Sequence, residues 1–398
     1  MILKKSYCRK LTDHEREHLF AARVCPPFAN QVVLKGKGEI SIIECQNALW
    51  KSSEANPGSR IILKGVLGFG RWIDSKRMPP VKVVDGKEWS GFSSKGAPFL
   101  QNPLSETDGP TCEVLLIKGT PFRIVFRSLH AIMDGRGTLT WVEDVFRALR
   151  GEPLIGSDCT STVTELAKRF QQKNKNPAPN DCIGPTGTAN GNEPGSSWRR
   201  KKITGRFFNL LPHIAVILAE EARKYADGIV RIVIPVDLRQ RSKGLRSTSN
   251  LASSIQVEVK PGDKPDHVAA KIIQNFYERQ DCILVTGPSL NRFIPSNFFC
   301  ALLKRMTTHN HAFALYGNSG IISNLGRVNL NRFTCKSFTP SSMFFVPPGV
   351  DFFPLFITIV EFGNDIELAA AMPNVLASGG RLDKLIDRIS DGLMPSGE

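Results

Sequence analysis

The stretch from residue 121 to residue 151 constrains the fold more than any other segment, because it encodes a strand, a loop and a helix in succession. Apolar side chains stand at positions 122, 124 and 126 and arginines at 123 and 127, the period-two pattern of a strand with one buried face. Apolar residues then recur at helical spacing until Arg150 and Gly151, a basic last turn followed by a glycine stop. These helical positions are Leu139, Val142, Val145, Phe146 and Leu149. The sequence therefore predicts a strand-loop-helix corner.

The loop of this corner has the motif H-x-x-x-D-G, from His130 through Asp134 to Gly135. It supplies a candidate general base, a fixed acid and a turn, in a loop that a rigid scaffold can aim. Two further short motifs also follow predicted strands, Ile234–Arg239 and Ile321–Arg327. Taken alone, an arginine after a strand is typical of a solvated charge, and Ser-Asn-x-Gly is typical of a turn.

The length of 398 residues predicts two domains. With 41% hydrophobic and 22% charged residues, the composition excludes a generally disordered or fibrous chain. The net charge of +15 favours anionic partners of any kind, including a phosphorylated cofactor or an acidic protein. The sequence contains no RNA-binding aromatic motif, zinc finger or basic heptad repeat, so we expect no nucleic-acid partner.

The nine cysteines are scattered and form no C-x-x-C pair, which favours reduced thiols in the cytoplasm. The N-terminus lacks the apolar core of a signal peptide, and no apolar run reaches the ~18 residues that span a bilayer. We therefore expect a soluble, monomeric, cytoplasmic protein without a membrane span. We expect no metal, since the histidines form no convincing ligand set; His14 and His18 are spaced i, i+4 but lack a metalloprotease motif around them.

A segment rich in Asn, Pro, Gly and Ser ends in the basic cluster at 199–202 and is predicted to be an exposed linker. The predicted division is a first lobe at 1–175, a linker or crossover at 176–205 and a second lobe at 206–398. The first half has a predicted helix at Asp13–Arg23 and predicted strands at Gly38–Cys45, Arg60–Leu67 and Thr111–Ile117. The second half has predicted helices at Leu210–Tyr225, Asp266–Arg279 and Phe293–Met306, and strands at Ile229–Ile234, Ser254–Val259, Gly320–Ser323 and Leu355–Phe362.

In their order along the chain, the motifs resemble those of the condensation-domain and chloramphenicol-acetyltransferase-like superfamily of acyltransferases. That superfamily has H-x-x-x-D-G in its first half, a strand similar to Ile234–Arg239 in its second half and, in alcohol-acyltransferase-like members, an S-N-x-G segment such as Ser323–Gly326. The beginning of the chain, Arg9–Glu17, also resembles the R-x-L-x-x-x-E opening of free-standing members. The resemblance covers nearly the whole chain.

The resemblance implies a mixed α/β (α+β) fold of two similar lobes, with a tunnel between them and His130 at its middle. His130 would be the general base that takes a proton from an alcohol or amine acceptor as the acceptor attacks a thioester directly. Asp134 would pair with Arg239 to hold the loop, and Gly135 would permit its turn. Ser323 and Asn324 would position the substrate or polarise the carbonyl, although a simple turn explains them equally well.

Many members of this superfamily have two histidines before the triplet, whereas this chain has Leu129, and the D-F-G-W-G segment of plant acyltransferases is missing. The sequence is closest to free-standing O- or N-acyltransferases of the alcohol-acetyltransferase or polyketide-associated kind. The implied donor is acyl-CoA, or an acyl group on the phosphopantetheine arm of a carrier protein, with no permanently bound cofactor. The alternatives are an amide-forming condensation-type enzyme of natural-product biosynthesis, a non-catalytic carrier-protein-binding relative and, on charge alone, a nucleic-acid-binding protein.

Overall fold

A computed structural model describes residues 7–170, 178–283 and 292–394 of the chain. Within these ranges the helices are α1 (Asp13–Val24), α2 (Ile42–Ala55), α3 (Gly135–Leu149), α4 (Val163–Lys168), α5 (Leu210–Arg223), α6 (Pro265–Tyr277), α7 (Ser296–Phe313), α8 (Asn374–Ala377) and α9 (Arg381–Leu393). The strands are β1 (Cys8–Lys10), β2 (Ala29–Gly38), β3 (Ile61–Lys64), β4 (Arg71–Asp74), β5 (Val81–Asp85), β6 (Cys112–Lys118), β7 (Phe122–Leu129), β8 (Cys182–Ile183), β9 (Ser196–Thr204), β10 (Arg231–Asp237), β11 (Ala252–Glu258), β12 (Leu315–Tyr316), β13 (Gly320–Arg327), β14 (Phe338–Val346), β15 (Phe356–Phe362) and β16 (Asp365–Pro373).

Two large sheets organise the molecule. The first has the strand order β14-β2-β7-β6-β5, and the second has the order β11-β10-β13-β15-β16-β9. Helices α2 and α3 share a core with the first sheet, built around Phe126, Trp141 and Phe146. Helices α5 and α9 share a second core with the other sheet. A third apolar cluster, which includes Val125 and Phe356, joins the inner faces of the two sheets. The architecture is therefore the predicted mixed α/β fold with two lobes.

One strand from the second lobe joins the sheet of the first lobe and connects the two. Strand β14 lies within the range predicted for the second lobe, but it pairs antiparallel with β2 at the edge of the first sheet. A division into contiguous lobes therefore does not describe residues 338–346. The reason is non-local pairing: the register that joins Phe344 to Val33 leaves no local signal in the sequence.

The end of the predicted linker is also different from the expectation. Residues 196–204 form β9, which pairs with β16 along its whole length. Arg200 is buried and forms an ion pair with Glu367 at 2.9 Å, while Arg199 and Lys201 pair with two aspartates of α9. The prediction of an exposed connector is wrong for this segment, because its basic side chains find carboxylates on both faces of the strand.

Most other predicted elements are present, with ends shifted by a few residues. The predicted strand at Gly38–Cys45 is wrong: β2 ends at Gly38, and α2 begins at Ile42. Ser41 caps α2 by accepting a hydrogen bond from the backbone N–H of Glu44, whose carboxylate in turn accepts from the Ser41 N–H. This capping box outweighs the β-branched residues at 40–43. In the described ranges, no helix has the length and apolar character needed to cross a membrane.

Candidate active site

The loop with the H-x-x-x-D-G motif begins where β7 ends. The backbone N–H of His130 donates to the Phe28 carbonyl at 3.3 Å, and the N–H groups of Ile132 and Met133 both donate to the carbonyl of Leu129. Leu129 itself is 2% exposed and packs in the core of the first lobe. The position that holds a second histidine in many similar proteins therefore contributes here to the core.

Asp134 ends the loop and caps α3. Its Oδ1 accepts a hydrogen bond from the backbone N–H of Gly137 at 2.6 Å, and its Oδ2 accepts one from the N–H of Leu251 at 2.7 Å. The carboxylate at the N-terminus of α3 also interacts favourably with the positive end of the helix dipole. Asp134 is thus bonded to both lobes.

Arg239 follows β10 and forms a bidentate ion pair with Asp134. Its Nη1 lies 3.0 Å from Oδ2 and its Nη2 lies 3.2 Å from Oδ1. Nη1 also reaches Asp237 at 2.7 Å, and the remaining donors bond to the carbonyls of Ser247 and Ser249. Burial disfavours the charge of Arg239, but the two carboxylates hold its pKa above the ordinary value. The contact expected between Asp134 and Arg239 is therefore present in the structure.

Asn250 of the second lobe holds the backbone of the histidine loop. Its side-chain nitrogen Nδ2 donates to the carbonyl of His130 at 2.8 Å and lies 3.4 Å from His130 Nδ1. The backbone N–H of Asn250 donates to the Ile132 carbonyl at 3.0 Å. Asn250 is buried, so these bonds are shielded from water. No sequence motif surrounds Asn250, and its place in the site arises only from contact between the lobes.

Two further histidines from α1 lie against His130. The ring centroids of His18 and His130 are 4.7 Å apart, and those of His14 and His18 are 4.5 Å apart. The ring of Phe28 stacks on that of His130, with the centroids 5.3 Å apart. The i, i+4 spacing of His14 and His18 was visible in the sequence, but only the packing of α1 against the end of β7 brings them to the site.

Hydrogen bonding defines the state of His18. Its Nδ1 lies 2.8 Å from the backbone carbonyl of His14. Because a carbonyl oxygen only accepts, Nδ1 carries the hydrogen and Nε2 carries the lone pair. The Nε2 atom of His14 is buried and has no hydrogen-bond partner within the described residues.

The surroundings of the three imidazoles favour their neutral form. Burial lowers the pKa of His130 to about 3, with a further contribution from His18, while a bond to its own carbonyl and the charge of Asp134 partly oppose this. Burial likewise lowers the pKa values of His14 and His18. The Nδ1 of His130 lies 3.4 Å from the Asn250 amide nitrogen, and a neutral ring carries its lone pair on one of its two nitrogens. A neutral imidazole such as that of His130 can accept a proton.

Ser323 and Asn324 lie on β13, next to the same loop. The Oδ1 of Asn324 accepts a hydrogen bond from the N–H of Gly326 at 2.7 Å, and a register shift follows Asn324 in its pairing with β15. The Leu325 carbonyl accepts a hydrogen bond from Arg136 in the first turn of α3. The turn expected at this segment is therefore present, and it leaves the amide nitrogen of Asn324 as its available donor.

Glycines make close contact between the lobes possible. A Cβ on Gly135 would lie 2.9 Å from the Cδ2 of Leu325, and one on Gly137 would lie 2.3 Å from the backbone oxygen of Thr248. The first turn of α3 thus sits directly against two segments of the second lobe. The sequence motif drew attention to Gly135, but Gly137 makes the closer approach.

In the parts of the chain that the structure describes, no group of three or more His, Cys, Asp or Glu residues is placed to hold a metal ion. All nine cysteines are free thiols. Burial raises the pKa of Cys45 to about 12, which keeps its thiol protonated.

Comparison with solved structures identifies proteins of the same fold. The condensation domain of the Monacolin K polyketide synthase MokA has a TM-score of 0.66 and 11% identity, over 97% of this chain and 96% of that one. A starter condensation domain of rhizomide synthetase RzmA, solved as a mutant in complex with C8-CoA and Leu-SNAC, has a TM-score of 0.65 and 11% identity, over 97% and 93%. Polyketide synthase associated protein 5 from Mycobacterium tuberculosis has a TM-score of 0.60 and 12% identity, over 98% of each chain.

No protein-family model matches the chain, and no curated protein matches its sequence. The structural likeness nevertheless extends over nearly the whole of this chain and of each neighbour. The fold is therefore that of condensation domains and polyketide-associated proteins, as the order of the motifs predicted. At this level of identity the likeness concerns the fold, and the chemistry must be argued from the site.

Proposed function

We propose that the protein is an acyltransferase that moves an acyl group from a thioester to a hydroxyl or amine acceptor, with His130 as the general base. The observation that carries this proposal is the position of the His130 imidazole, which Asn250 holds at the junction of the two lobes in surroundings that favour its neutral form. The proposal assigns the lone pair of this neutral ring to Nε2. A neutral imidazole can take a proton from an alcohol or amine that has almost no deprotonated fraction of its own.

The reaction balances with the residues at this site. As the acceptor oxygen or nitrogen attacks the thioester carbonyl, its proton passes to Nε2 of His130 and a tetrahedral oxyanion forms. Collapse of this intermediate breaks the carbon–sulfur bond, and the thiolate takes the proton from Nε2 to leave as a free thiol. Because the acceptor attacks directly, none of the nine free thiols is needed as a nucleophile.

The other motif residues have supporting roles in this proposal. Asp134 and Arg239 position the histidine loop through their ion pair, and Gly135 allows the loop to approach Leu325. Ser323 and Asn324 position the substrate, and the amide N–H of Asn324 donates to the developing oxyanion. His18 packs against the ring of His130 and lowers its pKa, which favours the neutral form of His130 in the resting enzyme.

The donor in this proposal is acyl-CoA or an acyl group on a carrier protein, used as a co-substrate. Both are anionic, which suits a chain of net charge +15. Both amines and alcohols are proposed acceptors. Nine free thiols support action in a reducing compartment such as the cytoplasm.

Release of free thiol from a panel of acyl-CoA and acyl-carrier-protein donors, with alcohol and amine acceptors, tests the proposal. We expect His130→Ala to lower the rate by about 100-fold or more, since general-base catalysis contributes ~10²–10⁴. His267→Ala is the matched control, because His267 is an exposed histidine on α6. Equal rates in wild type and His130→Ala would refute the role of His130, and donor binding without thiol release would favour the non-catalytic alternative.

A further inference from the structure

Helix α7 has an unusual distribution of side chains, because its apolar stripe faces solvent. Phe298, Leu302 and Met306 are 60%, 43% and 44% exposed, and Phe313 is 65% exposed. These positions follow the i, i+4, i+8 and i+15 spacing of one helix face. The face of the helix that adjoins this stripe packs on α1, where Phe299 stacks on Phe20 at 5.0 Å. The contact with α1 thus leaves the apolar stripe of α7 open to solvent.

A second exposed apolar element continues the stripe. Strands β3 and β4 are joined by a tip in which Val66 and Phe69 are 72% and 73% exposed. The tip touches the segment that leads into α7: the rings of Phe69 and Phe293 are 5.9 Å apart, and a Cβ on Gly68 would meet the Phe293 ring at 2.8 Å. The hairpin tip therefore adjoins the approach to α7, and we call the tip and the exposed stripe of the helix together the hairpin–α7 surface.

The charges on this surface have a single sign. The sequence of α7 contains Lys304 and Arg305 and no Asp or Glu. Lys64 and Arg71 flank the hairpin tip, and both are exposed. Within the described ranges, none of these four cations forms an ion pair with a carboxylate. Contiguous exposed apolar patches of this kind mark interaction sites in soluble proteins.

We propose that the hairpin–α7 surface docks the protein on an anionic lipid bilayer. A helix with an apolar face and flanking basic residues lies in the interfacial plane, with its apolar side chains among the acyl chains and its cations among the headgroups. Phe69 at the hairpin tip inserts beside it. A second copy of this chain is a poorer occupant, because a two-fold interface would bring the same cations face to face. This proposal is independent of the proposed acyl transfer.

The docking surface lies one helix away from the candidate active site. Helix α1 packs on α7 through Phe20, while His18 of the same helix contacts His130. Arg16 of α1 also donates to the carbonyl of Ile294, at the approach to α7. A protein docked through this surface would hold its site close to the bilayer, within reach of membrane-resident apolar molecules.

Sedimentation with lipid vesicles tests the proposal. The full-length protein should bind vesicles of phosphatidylcholine mixed with phosphatidylglycerol, bind pure phosphatidylcholine weakly, and dissociate as salt is raised. The double variant Phe69→Ser/Leu302→Gln should partition about tenfold less or weaker still, because two side chains no longer leave water on binding. The variant Lys304→Glu/Arg305→Glu should lose the preference for anionic lipid.

Matched controls separate this surface from general stickiness and from unfolding. Phe208→Ser removes a side chain that is 87% exposed near the start of α5, and Lys243→Glu reverses an exposed charge after β10. Both controls should bind vesicles as wild type does, and all variants should keep the wild-type melting temperature.

Two results would overturn the proposal. One is that wild type stays in the supernatant with both lipid compositions, or that the surface variants bind as well as the controls. The other is self-association without lipid, measured by light scattering, that Phe69→Ser/Leu302→Gln abolishes; a second copy would then be the occupant. Thiol release in solution would be unaffected by either result, so it reports on the acyl-transfer proposal separately.

Discussion

Replacement of Arg239 by methionine should destabilise the protein far more than the loss of a surface arginine. The side chains of Arg239 and Asp134 are 9% and 6% exposed, so water does not replace the lost partner. Removing one member of a buried ion pair costs ~3–5 kcal/mol, because the other charge is left uncompensated. Asp134 would keep only its bonds from the backbone N–H groups of Gly137 and Leu251.

The matching change on the other side is Asp134→Asn. This change leaves Arg239 with Asp237, at 2.7 Å, and with two backbone carbonyls. The double variant no longer contains an unpaired carboxylate beside the capped end of α3. We therefore expect the free energy of unfolding to fall less than the sum of the single changes, with a coupling energy of ~1–3 kcal/mol.

Urea denaturation of the four proteins in this cycle measures the free energies of unfolding. Arg388→Met is the matched control, because Arg388 and Glu220 form an exposed pair in which the side chains are 46% and 55% exposed. Exposed pairs contribute up to about 1 kcal/mol. Additivity within about 0.5 kcal/mol, or a cost of Arg239→Met no larger than that of Arg388→Met, would refute the argument.

The low pKa of His130 makes stability depend on pH: below about pH 6.5 the unfolded chain binds a proton that the native ring does not. The free energy of unfolding should therefore fall by up to about 2 kcal/mol from pH 6.5 to pH 5 because of this ring, and it should depend less on pH in His130→Gln. Parallel curves of this free energy against pH for the two proteins would exclude the effect. Gly137→Ala should lower the melting temperature more than Gly135→Ala, because its Cβ would meet the Thr248 backbone and not a mobile leucine methyl; the reverse order in calorimetry would contradict the packing. Asn324→Asp keeps the acceptor for the turn but removes the amide donor, so thiol release should fall by ~10²–10³ at unchanged stability; full activity would show that Asn324 serves the turn alone.

The part of the site that lies in short motifs was predictable from the sequence. His130, Asp134 and Gly135 follow a strand with clear alternation, and Arg239 follows another, so local patterns locate them. The ion pair between Asp134 and Arg239 was expected from the resemblance, and the structure contains it. The catalytic and positioning roles of these residues remain predictions.

The residues that complete the site could not be located in this way. Asn250, His14 and His18 come from a loop and a helix far from the motif in sequence, and only tertiary packing places them beside His130. Strand β9 could not be predicted for another reason. Its basic residues occupy both faces, so the sequence lacks the alternation of apolar and polar residues that is typical of a half-buried strand. Burial of Arg200 is possible because Glu367, on the neighbouring strand, neutralises its charge.

The insertion of β14 into the first sheet has a consequence for how the chain acquires its structure during synthesis. Until residues 338–346 have emerged from the ribosome, β2 is an unprotected edge whose N–H and C=O groups are open to pairing with other chains. A fragment that stops before residue 338 carries this edge permanently, and we expect it to aggregate when expressed alone. The first lobe is therefore finished by the last fifth of the polypeptide, and the two lobes mature as one cooperative unit.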